Sequence, residues 1–400
     1  MRGHVVVVGL GFGDEGKGAV VDALCAARPT EAVVRFNGGA QAAHNVIVGG
    51  THHTFSQFGS GTFAGVPTHL SRFVLVEPFA LAEEARRLAA IGVADPLRLV
   101  SAAGSALLTT PFHIHANRAR EDARGDRRHG SCGKGIGETV WYSLLGAAAP
   151  GEVVEGQRVI GAPGEAPRVA DCADPAALRR KLDALARFYA PLAEPRHTVA
   201  ELVGVYRDFA AAVRITDAAE VGRLADRGRL VMEGAQGVLL DQHHGFHPHT
   251  TWSSTTPVNA RELLEGREHT VIGVTRTYHT RHGAGPLPTE DAALLERYPE
   301  RHNGTGEYQG AWRVGHLDAA LLDRAIAVCD GVDALAVTHL DAPTPSVVAA
   351  PGAAPVPLAD PLAFFSARLP VAVTASGPAR ADYRVGEPVG AGAGRGTISG

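Results

Sequence analysis

A glycine-rich segment close to the N-terminus carries residue types and spacing suited to holding phosphate. Residues 11–17 read GFGDEGK and match the GxxxxGK pattern, in which backbone N–H groups and a lysine bind phosphate oxygens. Lys17 is one of three lysines in the chain, with Lys134 and Lys181, and it would supply a point charge. Gly18 stands where a Ser or Thr usually binds magnesium, so Asp14 is the obvious oxygen donor for a metal ion.

The same segment admits two other interpretations. Residues 11–16 also match GxGxxG, but dinucleotide binding requires an acidic residue at the end of the second strand to hold ribose hydroxyls. That strand ends here in RFNGG, residues 35–39, which contains no carboxylate. A tight glycine turn with a solvated lysine is the structural alternative. The strand-to-helix context favours phosphate binding over both.

Two residues outside the loop add to this chemistry. Asp341 follows the apolar run DALAV, and a carboxylate at a strand end can accept hydrogen bonds from N1–H and the 2-amino group of guanine, although a helix-capping role is the alternative. His44 is a candidate acid or electrophile, although a lone histidine is most often structural. A further group of histidines lacks zinc-type spacing and is interpreted as loop composition: His243, His244, His247, His249, His279 and His282.

Buried strands and helices must position these residues. The run at 5–8 is four valines without alternation, which is typical of a parallel strand buried on both faces. Alternating strands and helices predict an α/β fold with a mainly parallel central sheet and helices on both faces. The other predicted strands are residues 32–36, 229–232, 271–275 and 334–338, and the predicted helices are residues 81–91, 177–190 and 202–213.

Composition excludes several classes of protein. The 400 residues carry a net charge of −4 and are 45% hydrophobic, so no basic footprint for nucleic acid is present. Four scattered cysteines without a CxxC pair argue against a zinc or disulfide framework, and no apolar run is long enough to span a membrane. We therefore expect a cytoplasmic protein. We predict one domain over 1–400, with surface excursions at about 147–175 and 342–361 and a flexible tail at 386–400.

Several segments, in order along most of the chain, resemble the adenylosuccinate synthetase family. The combination of GDEGKG, EGAQG and GAGPLPTE is highly specific as a set. The matching segments are residues 9–22, 34–44, 133–138, 232–245, 280–290, 315–318, 338–341 and 376–378. The resemblance implies a P-loop-like fold and a GTP-dependent C–N ligase acting as a homodimer, with GTP as co-substrate and magnesium as cofactor.

The resemblance also implies a mechanism. In the family, GTP phosphorylates a carbonyl oxygen of the acceptor, O6 of inosine monophosphate, and the nitrogen of aspartate then displaces phosphate. Asp14 would be the base, while Lys17, magnesium and His44 would hold the moving phosphoryl group, and Gln236 would contact the acceptor.

The implied site residues fall into three sets. Those for GTP are Gly13, Asp14, Glu15, Gly16, Lys17, Gly18, His339, Asp341, Ser376, Gly377 and Pro378. Those for the acceptor are Gln41, Cys132, Lys134, Gln236, Thr251 and Arg313. Magnesium would be held by Asp14 and the carbonyl of Ala43.

Departures from the family pattern concentrate in the acceptor and amine pockets. Gln41 replaces an asparagine, Cys132 a threonine, and Gly146 an arginine that reaches the partner subunit. The family's arginine-rich loop before GHLD is here GTGEYQGAWRV, with Arg313 alone in register, and His339 replaces a lysine over guanine.

Since the reaction centre is retained, we hypothesise a paralogue that acts on an acceptor other than inosine monophosphate, or with a different amine. A divergent adenylosuccinate synthetase with compensating residues, a phosphotransferase, and a non-catalytic GTP-binding member are the alternatives.

Overall fold

A ten-stranded, mainly parallel sheet forms the centre of the computed structural model, which describes residues 3–148, 152–154, 157–158, 163–194, 196–299 and 305–389. The strands are β1 His4–Gly9, β2 Ala32–Arg35, β3 His44–Val48, β4 Thr51–Phe55, β5 Thr68–Leu70, β6 Val100–Ala103, β7 Val153–Val154, β8 Gln157–Arg158, β9 Arg214–Thr216, β10 Leu230–Glu233, β11 His269–Arg276, β12 His279–His282, β13 Trp312–Gly315, β14 Leu317–Asp318, β15 Ala334–Thr338, β16 Ser346–Val348, β17 Val356–Pro357, β18 Val371–Ala375 and β19 Tyr383–Val389.

Eleven α-helices accompany these strands in the described part of the chain. They are α1 Lys17–Ala27, α2 Pro78–Ala90, α3 Pro111–Arg124, α4 Ile136–Ala147, α5 Pro175–Tyr189, α6 Val199–Ala212, α7 Glu220–Arg227, α8 Val258–Leu264, α9 Leu294–Arg297, α10 Ala319–Val328 and α11 Pro361–Ser366. All the strands and helices that the sequence predicts are present, with ends shifted by three residues or fewer. None of the described helices is long and apolar enough to cross a membrane.

The sheet order places the first strand in the middle. Its sequence is β19-β18-β15-β11-β1-β10-β2-β5-β6-β9, and every pair is parallel except β18 with β19. This confirms the predicted α/β fold. Because β1 has a hydrogen-bonded neighbour on each side, the loop that follows it lies centrally at the carboxyl edge of the sheet, where ligands bind in open α/β folds.

The valine run of β1 is buried on both faces. Val6 and Val8 pack with α8 and α10 in one core cluster, whereas Val5 and Val7 pack with α1 in another. Alternate side chains of a strand point to opposite faces, so two apolar layers require the unbroken run of valines. This is the two-sided helical packing that the sequence predicts.

The segments predicted as surface excursions are more structured than expected. Val169 and Cys172 are fully buried beside α5 and α6, so this part of the first segment belongs to the core, while residues 149–151, 155–156 and 159–162 lie outside the described chain. Within the second, β16 and β17 join β14 in a small sheet and bury Val347. The predicted tail contributes residues 386–389 to β19, and residues 390–400 lie outside the described chain. The prediction of a single domain stays a prediction.

Candidate active site

Six neighbouring strands deliver most of the predicted site residues to one edge of the sheet. In the order β18, β15, β11, β1, β10 and β2, their carboxyl ends lead into the segments 376–378, 338–341, 276–282, 10–16, 234–237 and 36–43. Parallel strands place these ends side by side, so residues hundreds of positions apart meet here. Cys132 and Lys134 come instead from the connection between α3 and α4, and Thr251 from the long connection after β10.

The loop at residues 10–16 is predicted to bind phosphate and is called the phosphate-binding loop below; it contains an anionic side chain of its own. The carboxylate of Glu15 accepts hydrogen bonds from the N–H groups of Gly11 at 3.0 Å and Gly13 at 2.8 Å. Its second oxygen accepts a hydrogen bond from Lys17 Nζ at 2.7 Å, and both side chains are buried. Gly16, at φ +95°, is the N-cap residue of α1 and makes no side-chain cap. The loop amides and Lys17 therefore converge on one negatively charged group, which is the arrangement that phosphate needs.

The absence of a hydroxyl residue after Lys17 has a steric reason. A Cβ atom on Gly18 would lie 2.5 Å from the Cβ of His44 and 3.0 Å from Ser60 Oγ. A Ser or Thr at this position would therefore push His44 away from α1.

Asp14 lies in this loop in a left-handed conformation, at φ 61°. Burial raises the pKa of its carboxyl group, and the charge of Glu15 adds to the rise, while Arg276 and Lys17 oppose it. A carboxylate with a raised pKa is a better proton acceptor than an exposed one, so the environment of Asp14 suits a general base.

His44 belongs to a buried network that the sequence reasoning missed. Its Nδ1 lies 2.6 Å from Oε1 of Glu233, the last residue of β10, and Ser60 donates to both oxygens of the same carboxylate. Burial opposes ionisation of Glu233, but the Arg35 guanidinium and His44 outweigh it and lower its pKa to about 2. Burial lowers the pKa of His44. Glu233 therefore fixes the imidazole orientation and tautomer, and it would stabilise an imidazolium formed when Nε2 takes up a proton.

Two side-chain amides have buried atoms without hydrogen-bond partners in the described chain. They are Oε1 and Nε2 of Gln41 and Oε1 of Gln236. A Cβ on Gly38 would lie 3.5 Å from Gln41 Nε2 and 3.4 Å from Gln236 Oε1, so both amides border the same small space. Leaving buried polar atoms unpaired is costly, so these amides are candidates to bind a polar ligand.

The loop that carries Gln236 is held against two other site segments. Asn37 Nδ2 donates to the carbonyl of Ala235 at 3.1 Å, and Asn37 Oδ1 accepts from the N–H of the same residue at 2.7 Å. On the other side, a Cβ on Gly13 would lie 3.9 Å from the Cα of Gln236. The unpaired amides are thus beside the phosphate-binding loop.

Arg276, at the end of β11, is another site residue that the sequence reasoning missed. Its guanidinium is buried, Nη1 lies 3.3 Å from the Tyr278 hydroxyl, and Nε has no partner among the described residues. Its charge opposes the rise that burial causes in the pKa of Asp14, and it adds to the effect of burial in lowering the pKa of His339. Arg276 and Glu233 are charged residues that directly end long apolar strands, and that pattern is the signal that could have identified them.

The predicted guanine site contains a neutral imidazole where the family has a lysine. Burial, with a smaller effect of Arg276, lowers the pKa of His339 far below its ordinary value, and its ring lies edge-on to Tyr278 at 5.5 Å. Asp341 is exposed. In the 376–378 segment, a Cβ on Gly377 would lie 2.5 Å from Asp382 Oδ2, so this turn requires glycine.

The predicted acceptor residues other than the two glutamines are more dispersed. Cys132 is half-buried, and burial raises the pKa of its thiol. Lys134 is exposed, and Thr251 is half-buried, with its N–H bonded to the carbonyl of Leu240.

Arg313 is already engaged by protein groups. Its Nε and Nη2 bind both oxygens of Glu290, and Nη1 donates to the carbonyls of Gly283 at 3.0 Å and Gly285 at 2.7 Å. The role of Arg313 in acceptor binding stays a prediction.

Comparisons with known proteins agree with this architecture. The family model for adenylosuccinate synthetase matches residues 6–345. Adenylosuccinate synthetase 1 of Chromobacterium violaceum is 36% identical over 355 residues, covering 84% of this chain and 76% of the relative. Adenylosuccinate synthetase of Neisseria gonorrhoeae is 34% identical over 360 residues, which cover 85% of this chain and 78% of the relative.

Two solved structures share the fold at low sequence identity. Fully ligated adenylosuccinate synthetase from Plasmodium falciparum has a TM-score of 0.76 at 19% identity, covering 96% of this chain and 100% of the other. Cyanophage S-2L succinoaminodeoxyadenylate synthetase (PurZ), bound to dGMP and to dATP as an energy donor, has a TM-score of 0.64 at 20% identity, covering 96% and 95%. The chain therefore belongs to the adenylosuccinate synthetase family, whose members are GTP-dependent ligases.

Proposed function

We propose that the protein phosphorylates the carbonyl oxygen of a lactam-type acceptor with GTP and then lets an amine displace the phosphate. The observation that carries this proposal is the pair of unpaired amides of Gln41 and Gln236 beside the phosphate-binding loop. A primary amide both donates and accepts hydrogen bonds, so it complements the C=O and N–H edge of a lactam, as in a hypoxanthine ring. Such an acceptor would satisfy the buried polar atoms that the protein leaves without partners.

The base of the proposed reaction is Asp14. Its raised pKa favours proton uptake from the lactam N–H, which transfers negative charge to the carbonyl oxygen and makes that oxygen nucleophilic. Arg276 and Lys17 lie close enough to affect the pKa of Asp14 and would stabilise the anion electrostatically.

Phosphoryl transfer would use the amides of the loop and His44. The γ-phosphoryl group passes to the acceptor oxygen, and GDP leaves with the electron pair of the broken P–O bond. Since Glu15 now occupies the amides of Gly11 and Gly13, its carboxylate must give way to a phosphate that uses the same donors. His44, oriented by Glu233, would then donate a hydrogen bond to a phosphoryl oxygen.

Magnesium fits this site only together with nucleotide. The described residues contain no group of three or more His, Cys, Asp or Glu side chains that could hold an ion alone. Asp14 and the carbonyl of Ala43 would supply two oxygen ligands, which hard cations prefer, and phosphate oxygens would supply others. When bound, magnesium would neutralise charge on the phosphate oxygens.

The first candidate is the reaction of the family, in which inosine monophosphate is the acceptor and aspartate is the amine. The second candidate is a reaction with an acceptor that lacks the 5′-phosphate. The second is favoured by the arginine deficit, because Arg313 is held by Glu290 and the other family arginines of its loop are replaced. A homodimer remains part of the proposal.

Mass spectrometry of reactions containing the protein, GTP, magnesium and aspartate tests this function. Adenylosuccinate from inosine monophosphate would establish the family reaction, whereas product from inosine alone would establish the second candidate. Phosphorylated acceptor in reactions that lack amine would indicate a phosphotransferase. GTP binding without phosphate release for any lactam acceptor would overturn the proposal.

A further inference from the structure

An open groove lies along the segment that departs most from the family. It has three walls, from residues 125–130, 283–285 and 307–313, and a volume of about 790 Å³ that is partly open to solvent. Arg281 joins this groove to the loop at residues 10–16, since its Nε donates at 2.9 Å to the carbonyl of Ala284, which lines the groove, and its guanidinium carbon lies 4.5 Å from the centre of the Phe12 ring.

Residues 306–310 form a short loop that supplies part of one groove wall. Gly306 and Gly310 exchange two N–H···O hydrogen bonds of 3.0 Å, which close a short loop with Glu307, Tyr308 and Gln309 at its tip. The Tyr308 ring lies 5.3 Å from the guanidinium carbon of Arg128, and a Cβ on Gly133 would approach that ring to 2.8 Å. The position of Glu307 is therefore set by packing of its neighbour.

Both arginines of the groove are already neutralised. Arg128 pairs with Asp122 at 2.7 Å and donates to the carbonyl of Glu307 at 3.0 Å. Arg313 is held by Glu290, as described above. Neither Asp122 nor Glu290 lines the groove. An arginine whose guanidinium N–H groups already bind one carboxylate has few donors left to bind the carboxylate of a ligand.

The carboxylates of the groove, in contrast, have no cationic partner in the described chain. Asp126 and Glu307 both line it, and neither takes part in an ion pair there. A dicarboxylate amine such as aspartate would thus face two negative charges and no unengaged cation among the described lining residues. Like charges placed together disfavour binding, whereas a cationic group would be attracted.

We propose that this groove takes an amine donor whose tail is cationic or a hydrogen-bond donor, rather than a second carboxylate. Asp126 and Glu307 would accept hydrogen bonds from that tail. In the second step of the reaction, the amine nitrogen forms a bond to the carbon that bears the phosphorylated oxygen, the C–O bond breaks, and inorganic phosphate leaves with the electron pair of that bond. The displaced amine proton passes to solvent. This inference rests on the proposed ligase function and specifies its second substrate.

The test compares amine donors of similar size with the purified protein, GTP, magnesium, and either inosine monophosphate or inosine. The donors are L-aspartate, L-asparagine and L-2,3-diaminopropionate, and phosphate release and product mass are measured together. We expect kcat/KM for asparagine or diaminopropionate to exceed that for aspartate by about tenfold or more, the effect of one unfavourable charge contact. A preference for aspartate with normal ligation would overturn this inference alone.

A charge-reversal variant separates the groove from general effects on the protein. E307R should raise kcat/KM for aspartate and lower that for diaminopropionate, each about tenfold, with little change in GTP affinity. The matched control is E296R, an equal charge change at an exposed residue outside the groove, which should leave the donor preference unchanged. An unchanged preference in E307R would contradict the inference. No phosphate release with any donor or acceptor would instead overturn the ligase function itself.

Discussion

Nδ1 of His44 and Oε1 of Glu233 lie 2.6 Å apart, although 189 positions separate the two residues along the chain. The contact exists because β2 and β10 are adjacent parallel strands, so the segments that follow them leave the sheet side by side. Although Glu233 is fully buried, the charge of Arg35 and the hydrogen bond with His44 lower the pKa of its carboxyl group to about 2, which favours the ionised form. The His44–Glu233 pair is arranged like the carboxylate–histidine pairs of other enzymes, in which the acid orients a catalytic histidine.

Replacing Glu233 with glutamine should impair phosphoryl transfer more than nucleotide binding. E233Q keeps the side-chain shape but loses the charge that stabilises an imidazolium at His44, so we expect kcat to fall about 100-fold. The affinity for GTP should change little, since the hydrogen bonds that the Glu233 carboxylate makes in the described chain go to His44 and Ser60, outside the phosphate-binding loop. Steady-state kinetics and calorimetric GTP titration measure the two effects separately.

Glu84 offers a matched control for that variant. It is also a fully buried carboxylate, and it accepts hydrogen bonds from the N–H groups of Ser56 and Gln57. E84Q should lower stability without a comparable loss of kcat. Equal losses of kcat in E84Q and E233Q would show that the effect comes from the fold, not from His44.

Glu15 should stabilise the ligand-free protein by filling the phosphate-binding loop. E15Q removes the charge that Lys17 pairs with and weakens the bonds to Gly11 and Gly13. We expect the free energy of unfolding without ligand to fall by about 1–3 kcal/mol. Saturating GTP should recover part of this loss, because phosphate replaces the missing anion. Chemical denaturation with and without GTP checks this, and an equal loss in both conditions would contradict it.

Gly18 should tolerate no side chain. G18A places a methyl group against the Cβ of His44 and should destabilise the protein by about 1–3 kcal/mol while reducing activity. Gly204, inside α6, has open space within 4 Å of the point that an added methyl group would occupy, so G204A should instead stabilise by about 0.5–1 kcal/mol. Thermal unfolding of the two variants gives the comparison, and similar shifts in the same direction would refute the steric argument.

Buried His69 should make the fold sensitive to moderate acid. Burial lowers the pKa of its imidazole from 6.5 to about 4. Between those pH values the unfolded chain binds a proton that the folded protein does not, so stability falls as pH decreases through this window. The loss reaches about 3 kcal/mol at pH 4 and is absent above pH 6.5.

Variants at His69 isolate this effect. H69N should reduce the slope of unfolding free energy against pH between 7 and 4.5 by the contribution of one proton, whatever its effect at neutral pH. His52 is exposed, so H52N should retain the slope of the unmodified protein. A slope in H69N that equals that of the unmodified protein would exclude His69 as the cause.

The central sheet can be predicted from the sequence because the residue pattern that indicates a buried strand is local. The valines at 5–8 require burial on both faces wherever their neighbours come from, and the loop at 11–17 has a recognisable spacing. Motif order then identifies the family, which the comparisons confirm.

The pairings inside the site depend instead on which strands become neighbours. The contact of His44 with Glu233 requires β2 beside β10, and no local pattern states that adjacency. For the same reason, the sequence leaves Arg313 as a candidate ligand for the acceptor, whereas the fold brings Glu290 against it. The unpaired amides of Gln41 and Gln236 likewise emerge only when the three-dimensional surroundings are known.

The central position of β1 has a consequence for biosynthesis. Val5 pairs with Val231 on one side, and Val7 pairs with Ile272 on the other. At about 5–20 residues per second, a ribosome needs on the order of ten seconds or longer to supply both neighbours. Until then four consecutive valines remain an unpaired strand prone to aggregation, which makes the nascent chain a candidate for chaperone protection. A chain interrupted before β11 would contain the whole phosphate-binding sequence and have only part of the frame that shapes it.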